Sequence, residues 1–269
     1  MRSSAYLFTF TIYSILAIGL GQRILLWPAI WLFPGKRRRM VRAWLRFHAR
    51  STLAMAHAIA NVRVSVRGSI PPESCIVVMN HQSVLDIPIG LRLVPGPYPL
   101  IPTRERYHWG VPGISPLARL ARYPFVSQKR VLSRSELASL TDAAEQVARG
   151  EQSLLIFPEG HRSRDGGLGR FMRSGLRIVL SRAERPVYCV AVHGMVNART
   201  FADGLANFVD LDIRVAISGP ISPPATGSDD REIDAFIDLL HERMAEMLTG
   251  LDVEAATPSA NVANSAARR

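Results

Sequence analysis

Residues 5 to 34 are apolar apart from scattered hydroxyls, Gln22 and Arg23. About 20 apolar residues make a helix long enough to cross the hydrocarbon core of a bilayer. Arg23 and Pro28 interrupt this run, so one tilted span and two shorter segments dipping into one leaflet both fit. Next comes GKRRRMVRAWLRFHAR, in which Lys36, Arg37, Arg38, Arg39, Arg42, Arg46 and Arg50 have no acid among them. Such a cluster beside a hydrophobic segment belongs on the cytoplasmic side, here of the inner membrane, against anionic headgroups. Trp27, Trp31 and Trp44 flank the segment as interfacial aromatics do. A cleaved signal peptide fits less well, because its basic region would hold only Arg2 and the apolar run is too long. Nucleic-acid binding fits less well too, since no reading motif accompanies the arginines. Residues 1–60 therefore read as a membrane-anchoring helical region, with membrane lipid rather than nucleic acid as partner.

Beyond residue 60 the pattern changes. Short apolar runs at 75–79 (CIVVM), 98–102, 123–127, 153–158 (SLLIFP), 187–194 (VYCVAVHG) and 210–217 have the length and the β-branched content of strands. Helical periodicity fills the intervals. The clearest stretch is 134–149, with Ser133 and Glu136 as a capping box and Gly150 as its stop; another runs from 230 to 250. Strands alternating with helices predict an α/β domain over 61–251, a mainly parallel sheet flanked by helices. The tail 252–269 is small and polar and reads as disordered.

Composition sharpens this only in part. Hydrophobic residues are 48% and charged residues 20% of the 269, enough for a packed core. The net charge of +11 calls for an anionic partner. Lys36 and Lys129 are the only lysines, and arginine suits bidentate phosphate contacts. Cys75 and Cys189 lie in strand-like runs and read as buried free thiols.

The candidate chemistry sits after two of the strands. In MNHQSVLDIP (79–88), Asn80 and His81 fall just past the carboxyl end of a strand, where open parallel sheets bind ligands. With Ser83 capping the following helix, Asp86 lies in its first turn and can reach back to the imidazole. One reading is a His81–Asp86 pair in which the carboxylate fixes the tautomer and the second ring nitrogen takes a proton. The other is an aspartate that only caps a helix and a histidine that only satisfies a loop. In LLIFPEGHRSRDGG (154–167), a strand again runs into a polar turn. A glycine there permits close backbone approach, and Arg162 supplies a guanidinium fork for phosphate, with Arg164, Arg170 and Arg173 following.

Together the two stretches resemble the glycerophospholipid acyltransferase family, best known from 1-acylglycerol-3-phosphate acyltransferases. The family's NHxSxxD block is Asn80, His81, Ser83 and Asp86 here; its FPEGTRS block is Phe157, Pro158, Glu159, Gly160, Arg162 and Ser163. The resemblance covers residues 40 to 220. It implies that His81, oriented by Asp86, is the general base that deprotonates the acceptor hydroxyl. Asn80, Ser83, Arg104, Glu105, Glu159, Gly160, Arg162 and Ser163 are implied to bind substrate, with Glu159 and Arg162 near the acceptor phosphate. The acceptor is implied to be lysophosphatidic acid, and the donor an acyl thioester of coenzyme A or acyl carrier protein, with no further cofactor. His161 stands where the family has threonine. The second block is loose, with Arg104 and Glu105 aligned in PTRERYHWGVPG and Lys129 or Arg130 as the distal cation. Cys189 takes the place of a proline in the fourth block, and FMRSG (171–175) follows the family's tendency.

A thioester needs a base, an oxyanion donor and positioning, not a covalent nucleophile, and no G-x-S-x-G elbow is present. Three alternatives follow. Another lysolipid, such as lyso-ornithine lipid, can replace the acceptor. A metal-dependent hydrolase can use His81, Asp86, Glu159 and His161 as ligands, although HExxH is missing. A catalytically silent lipid-binding module is the third.

Overall fold

The structure is a computed structural model that describes residues 2–111, 113–127, 132–198 and 207–256. Six strands form one sheet in the order β1 (Arg63–Arg67), β8 (Asp212–Ile221), β7 (Val187–His193), β2 (Ile76–Met79), β6 (Ser153–Ile156) and β3 (Pro99–Leu100). Neighbours run parallel except β7 and β8, which pair antiparallel. The central strands β2 and β6 are buried along their whole length. Their continuous apolar sequences are what a strand covered on both faces requires. The sequence pattern did not single out β1, Arg-Val-Ser-Val-Arg, because only one of its residues is even partly buried. It is an edge strand held by β8. The run at 123–127 is a strand, but as β5 (Phe125–Val126) it leaves the main sheet and pairs with β4 (Thr103–Arg104).

Register sets the height of the two motifs. β2 and β6 pair as Val77↔Leu155 and Val78↔Ile156, so the residues three beyond, His81 and Glu159, emerge level with each other at the carboxyl edge. Helix α4 (Asp86–Leu93) then crosses this edge. It approaches β6 closely because residue 90 is glycine: a Cβ there would lie 2.4 Å from the Leu155 Cδ2 of the packed core. The carboxyl end of α4 is held by Arg46, which donates to the carbonyls of Val94 at 2.8 Å and Gly96 at 2.7 Å, and to that of Pro95.

Arg46 belongs to α3 (Arg37–Ala60), whose inward stripe of Val41, Leu45, His48, Ala49, Thr52, Leu53, Ala56 and Ala60 follows helical spacing. This stripe joins the hydrophobic cluster of the sheet without a break. Four of the arginines read as facing headgroups therefore turn to their own domain. Besides Arg46, Arg37 donates to Leu120 O, Arg42 to Pro95 O, and Arg38 pairs with Glu151.

The apolar N-terminus is helical from α1 (Arg2–Tyr13) through π-helical turns at Ser14–Leu20 and Gln22–Leu26 into α2 (Trp27–Leu32). Arg23 and Pro28 do not split it: Arg23 lies within the π turns, and Pro28 falls in the first turn of α2, where a missing N–H is tolerated. Ser4–Leu32, which contains an 18-residue window of mean hydropathy 1.6, is long and apolar enough to cross a membrane. It lies against α3: Tyr13 bonds His48 Nδ1, and the Gln22 amide donates to Gly113 O at 2.9 Å. Its other side exposes Phe8, Ile15, Leu16, Ile24, Leu25 and Trp31.

Three further helices cover the sheet: α5 (Ile114–Leu120), α6 (Arg134–Ala148) and α7 (Arg173–Leu180). The last, α8 (Asp230–Ala256), takes in the first five residues assigned to a disordered tail. Asp252 pairs with His193 at 2.9 Å and Glu254 with Arg67, which fixes this end; 257–269 lies outside the described residues. At α6 the capping box is present, with Glu136 N donating to Ser133 Oγ at 3.3 Å and Ser133 N to Glu136 Oε2 at 2.7 Å. Glu136 also accepts from Ser127 N, just beyond β5, and so ties down the ribbon that carries Arg104.

These hydrogen bonds, from Ser133 first, pull the Glu136 carboxyl down from 4.5 to about 2. A depressed acid contributes stability that is complete above the unfolded value and is lost as pH falls toward the folded one. Glu136→Gln is expected to lower the thermal midpoint at pH 7, with the deficit closing between pH 4.5 and about 2. A deficit of equal size at pH 2 would contradict the assignment.

Candidate active site

His81 and Asp86 meet. His81 Nδ1 lies 2.7 Å from Asp86 Oδ2, and the carboxylate is fully buried while the histidine side chain keeps 15% of its surface. A carboxylate only accepts, so Nδ1 carries the proton and Nε2 is left with its lone pair. The same Oδ2 accepts from the backbone N–H groups of Gln82 and Ser83, each at 2.7 Å. Asp86 is thus at once the histidine's partner and the cap of the turn before its own helix. Ser83 does not serve as the N-cap of α4. It accepts from Leu85 N at 3.3 Å and donates to Ala198 O, with its side chain fully buried. Phe157 stacks on the imidazole at 4.3 Å between centroids, with planes 26° apart, and fixes the ring from one face.

The loop that presents His81 is tied residue by residue. Asn80 donates through Nδ2 to Val192 O at 2.9 Å and accepts from Val192 N at 2.7 Å, so its amide fastens β7 and does not face substrate. The amide of buried Gln82 donates to Gly166 O and accepts from Met195 N, both at 3.1 Å. With the bond from its backbone N–H to Asp86, these two make it a framework residue that the motif, with any residue between histidine and serine, did not reveal. Ser163 N donates to His81 O at 2.7 Å, while Ser163 Oγ accepts from Gly166 N at 2.9 Å and shapes the opposite turn.

Glu159 works beneath the histidine. Oε1 accepts from His81 N at 2.8 Å and Oε2 from Gly169 N at 2.7 Å. The side chain is buried and burial raises its pKa. Both oxygens are occupied and the group is acidic, so Glu159 positions His81 and does not contact a phosphate. Gly160 takes φ +69°, where a Cβ would also strike Met172 Sδ at 2.5 Å. Its carbonyl accepts from Arg104 Nη2 at 3.0 Å.

That bond brings the two cationic stretches together. The Arg104 pKa is lowered by burial and by the neighbouring charges of Arg106 and Arg162. Arg162 Nε is buried with no hydrogen-bond partner among the described residues. Guanidinium groups that crowd one another with an open donor form a site for an anion. Glu105 is exposed at the head of the turn Glu105–Tyr107, away from these donors' bonds. Arg173 leaves the site to pair with Asp234 and Asp238 on α8, and Arg164 and Arg170 are exposed. Lys129 and Arg130 lie outside the described residues.

The four residues of the metal reading do not converge. His161 is exposed and turned to Arg162 O at 3.3 Å, and among the described residues no group of three histidine, cysteine or acidic side chains is placed to hold an ion. Burial pushes the Cys75 thiol up to about 11 and that of Cys189 up to about 12, opposite to what a nucleophile needs.

Known proteins resemble this chain in sequence and in fold. A family model described as Acyltransferase matches residues 61–193. The human 1-acyl-sn-glycerol-3-phosphate acyltransferase alpha is 30% identical over 129 residues, 47% of this chain and 44% of its own length. A Pseudomonas aeruginosa 1-acyl-sn-glycerol-3-phosphate acyltransferase is 26% identical over 166 residues, 59% of each chain. The matches therefore span from under half to somewhat over half of these relatives. The crystal structure of the 1-acyl-sn-glycerophosphate (LPA) acyltransferase PlsC from Thermotoga maritima superposes with a TM-score of 0.68, at 20% identity, over 94% of this chain and 98% of that one. At that identity the likeness is one of fold.

Glu159→Gln tests the clamp. An amide has one acceptor oxygen, so one of two buried backbone N–H groups loses its partner at a cost of about 1–3 kcal/mol. Chemical denaturation is expected to show a loss of that size; an unchanged unfolding free energy would remove the clamp from the account.

Proposed function

Since the chain belongs to the glycerophospholipid acyltransferase family, we propose that it transfers an acyl group from acyl-CoA or acyl carrier protein to the sn-2 hydroxyl of 1-acyl-sn-glycerol-3-phosphate, giving phosphatidic acid. The observation that carries this reading is the buried bond from His81 Nδ1 to Asp86, which leaves Nε2 as a base beside an arginine-lined anion site. Nε2 takes the hydroxyl proton as the oxygen attacks the thioester carbon. Collapse of the tetrahedral intermediate breaks the C–S bond, and the imidazolium returns the proton to the departing thiolate. Asp86 stabilises the imidazolium in between.

The cations support a phosphate-bearing acceptor. Arg162 and Arg104, with Arg106 near, repel the amino group of an ornithine headgroup and attract a phosphate. The N-terminal helix supports action at a bilayer surface, on the cytoplasmic face of the inner membrane. It packs along α3, whose exposed Arg39 and Arg50 belong at the headgroup level rather than in hydrocarbon. The segment then lies in one leaflet with its apolar side down, and does not cross.

Purified full-length protein in lipid vesicles, offered a panel of lysolipids with labelled acyl-CoA or acyl carrier protein, tests the proposal with products identified by mass. Lysophosphatidic acid is expected to be the preferred acceptor; equal turnover of lyso-ornithine lipid would contradict that. His81→Ala is expected to cut kcat by ~10²–10⁴-fold with the unfolding transition intact, and a variant keeping half the wild-type rate would sink the base assignment.

A further inference from the structure

A cavity of about 250 Å³ opens at the other end of the sheet, lined among others by Arg37, Arg38, Tyr98, Arg122, Gln146 and Gln152. Tyr98 and Gln152 precede β3 and β6, whose carboxyl ends point toward His81. At about 3.3 Å per residue, the run from Gln152 to Phe157 sets the cavity roughly 15 Å from the catalytic edge. A ligand here is not at the reacting atoms.

Its chemistry is that of an anion site. Three guanidinium groups border it; outside the lining, Glu151 pairs with Arg38 and Arg149, and Asp142 accepts from the Gln146 amide at 2.9 Å. Arg37 gives one bond to Leu120 O and retains its other N–H donors. Arg122 is exposed in a left-handed conformation (φ 57°), at a helix end where glycine is the usual occupant. Gln146 and Gln152, 5% and 2% exposed, give the inner wall polar groups. The α3 helix begins at this wall with no side-chain cap and no acid in its first turn, so its own dipole adds to the positive field.

The mouth indicates where the anion comes from. Pro34 and Gly35 form part of the wall, and directly before them Trp31, Leu32 and Phe33 are exposed at the end of the apolar segment. Given the reading that this segment lies in a leaflet, the cavity sits at headgroup depth with hydrocarbon beside it. We propose that the cavity is a second phosphate site, distinct from the acceptor site at Arg162, that holds the headgroup phosphate of an anionic phospholipid in the leaflet carrying the N-terminal helix.

The test needs no turnover, so it stands apart from the acyltransferase reading. Full-length protein in detergent micelles, without acyl donor, is titrated with dihexanoyl-phosphatidylglycerol while its thermal midpoint is followed. Parallel arms use dihexanoyl-phosphatidylcholine and inorganic phosphate at matched ionic strength. Saturable stabilisation by phosphatidylglycerol is expected, weakened at least ~10-fold in the R38Q/R122Q double variant, retained in R38K/R122K and unaffected by R162Q. An R38Q/R122Q titration identical to wild type, or loss of the effect in R162Q, would overturn the site. Equal binding of inorganic phosphate or phosphatidylcholine would overturn its assignment to an anionic lipid.

Discussion

A carboxylate with no exposed surface holds one oxygen against three donors, His81 Nδ1 and the N–H groups of Gln82 and Ser83. That convergence links chemistry to fold. The turn cannot open without stripping a buried charge of its partners, at several kcal/mol, and the imidazole cannot rotate without the same loss. The histidine is therefore presented in one tautomer and one orientation, with Nε2 free. Phe157 above the ring and Glu159 below its backbone restrict the motions that remain. Pre-set geometry of this kind is what a base acting on an already activated thioester requires.

The sheet makes the arrangement possible. Because β2 and β6 are neighbours in parallel register, two loops far apart in sequence end level with each other, one bringing the imidazole and the other the glutamate and the arginine. Asn80, Gln82 and Ser83 then fasten the first loop to β7 and the segment after it. On the other flank, the capping glutamate of α6 holds the β4–β5 ribbon and with it Arg104. The N-terminal helix meets the same region through the Gln22 bond to Gly113, so the segment read as membrane-bound and the stretch that carries Arg104 and Arg106 are mechanically joined. Under the proposed function, substrate arriving from a bilayer would reach a site whose cations are already set.

Much of this was legible in the chain. The central strands declared themselves because strands buried on both faces are unbroken apolar runs, and the α6 cap was visible in Ser133, Glu136 and Gly150. The pairing of His81 with Asp86 followed from a strand end and a helix start five residues apart. What escaped was what depends on partners remote in sequence. Nothing local separates an Asn80 that faces substrate from one that fastens β7, since either is an asparagine after a strand. The same holds for Glu159, whose two acceptor bonds run to residues 78 positions before and ten after it. Edge strand β1 was missed because an exposed strand carries little hydrophobic signal. The arginines of α3 misled for the opposite reason: a basic run beside an apolar segment looks solvent-facing until the carbonyls at the end of α4 are seen beneath Arg46.

The central claim is that Asp86 serves catalysis by fixing the tautomer of His81, and the most direct measurement is the steady-state rate of Asp86→Asn with lysophosphatidic acid in vesicles, beside the affinity of the same variant for the acceptor. All three bonds fall on Oδ2 and none on the buried Oδ1, so the amide keeps the shape but strips His81 of its anionic partner, and kcat is predicted to fall by ~10²–10⁴-fold while acceptor binding holds. A variant that binds acceptor normally and turns over within a factor of about two of wild type, a difference of only ~0.4 kcal/mol in barrier, would contradict the account.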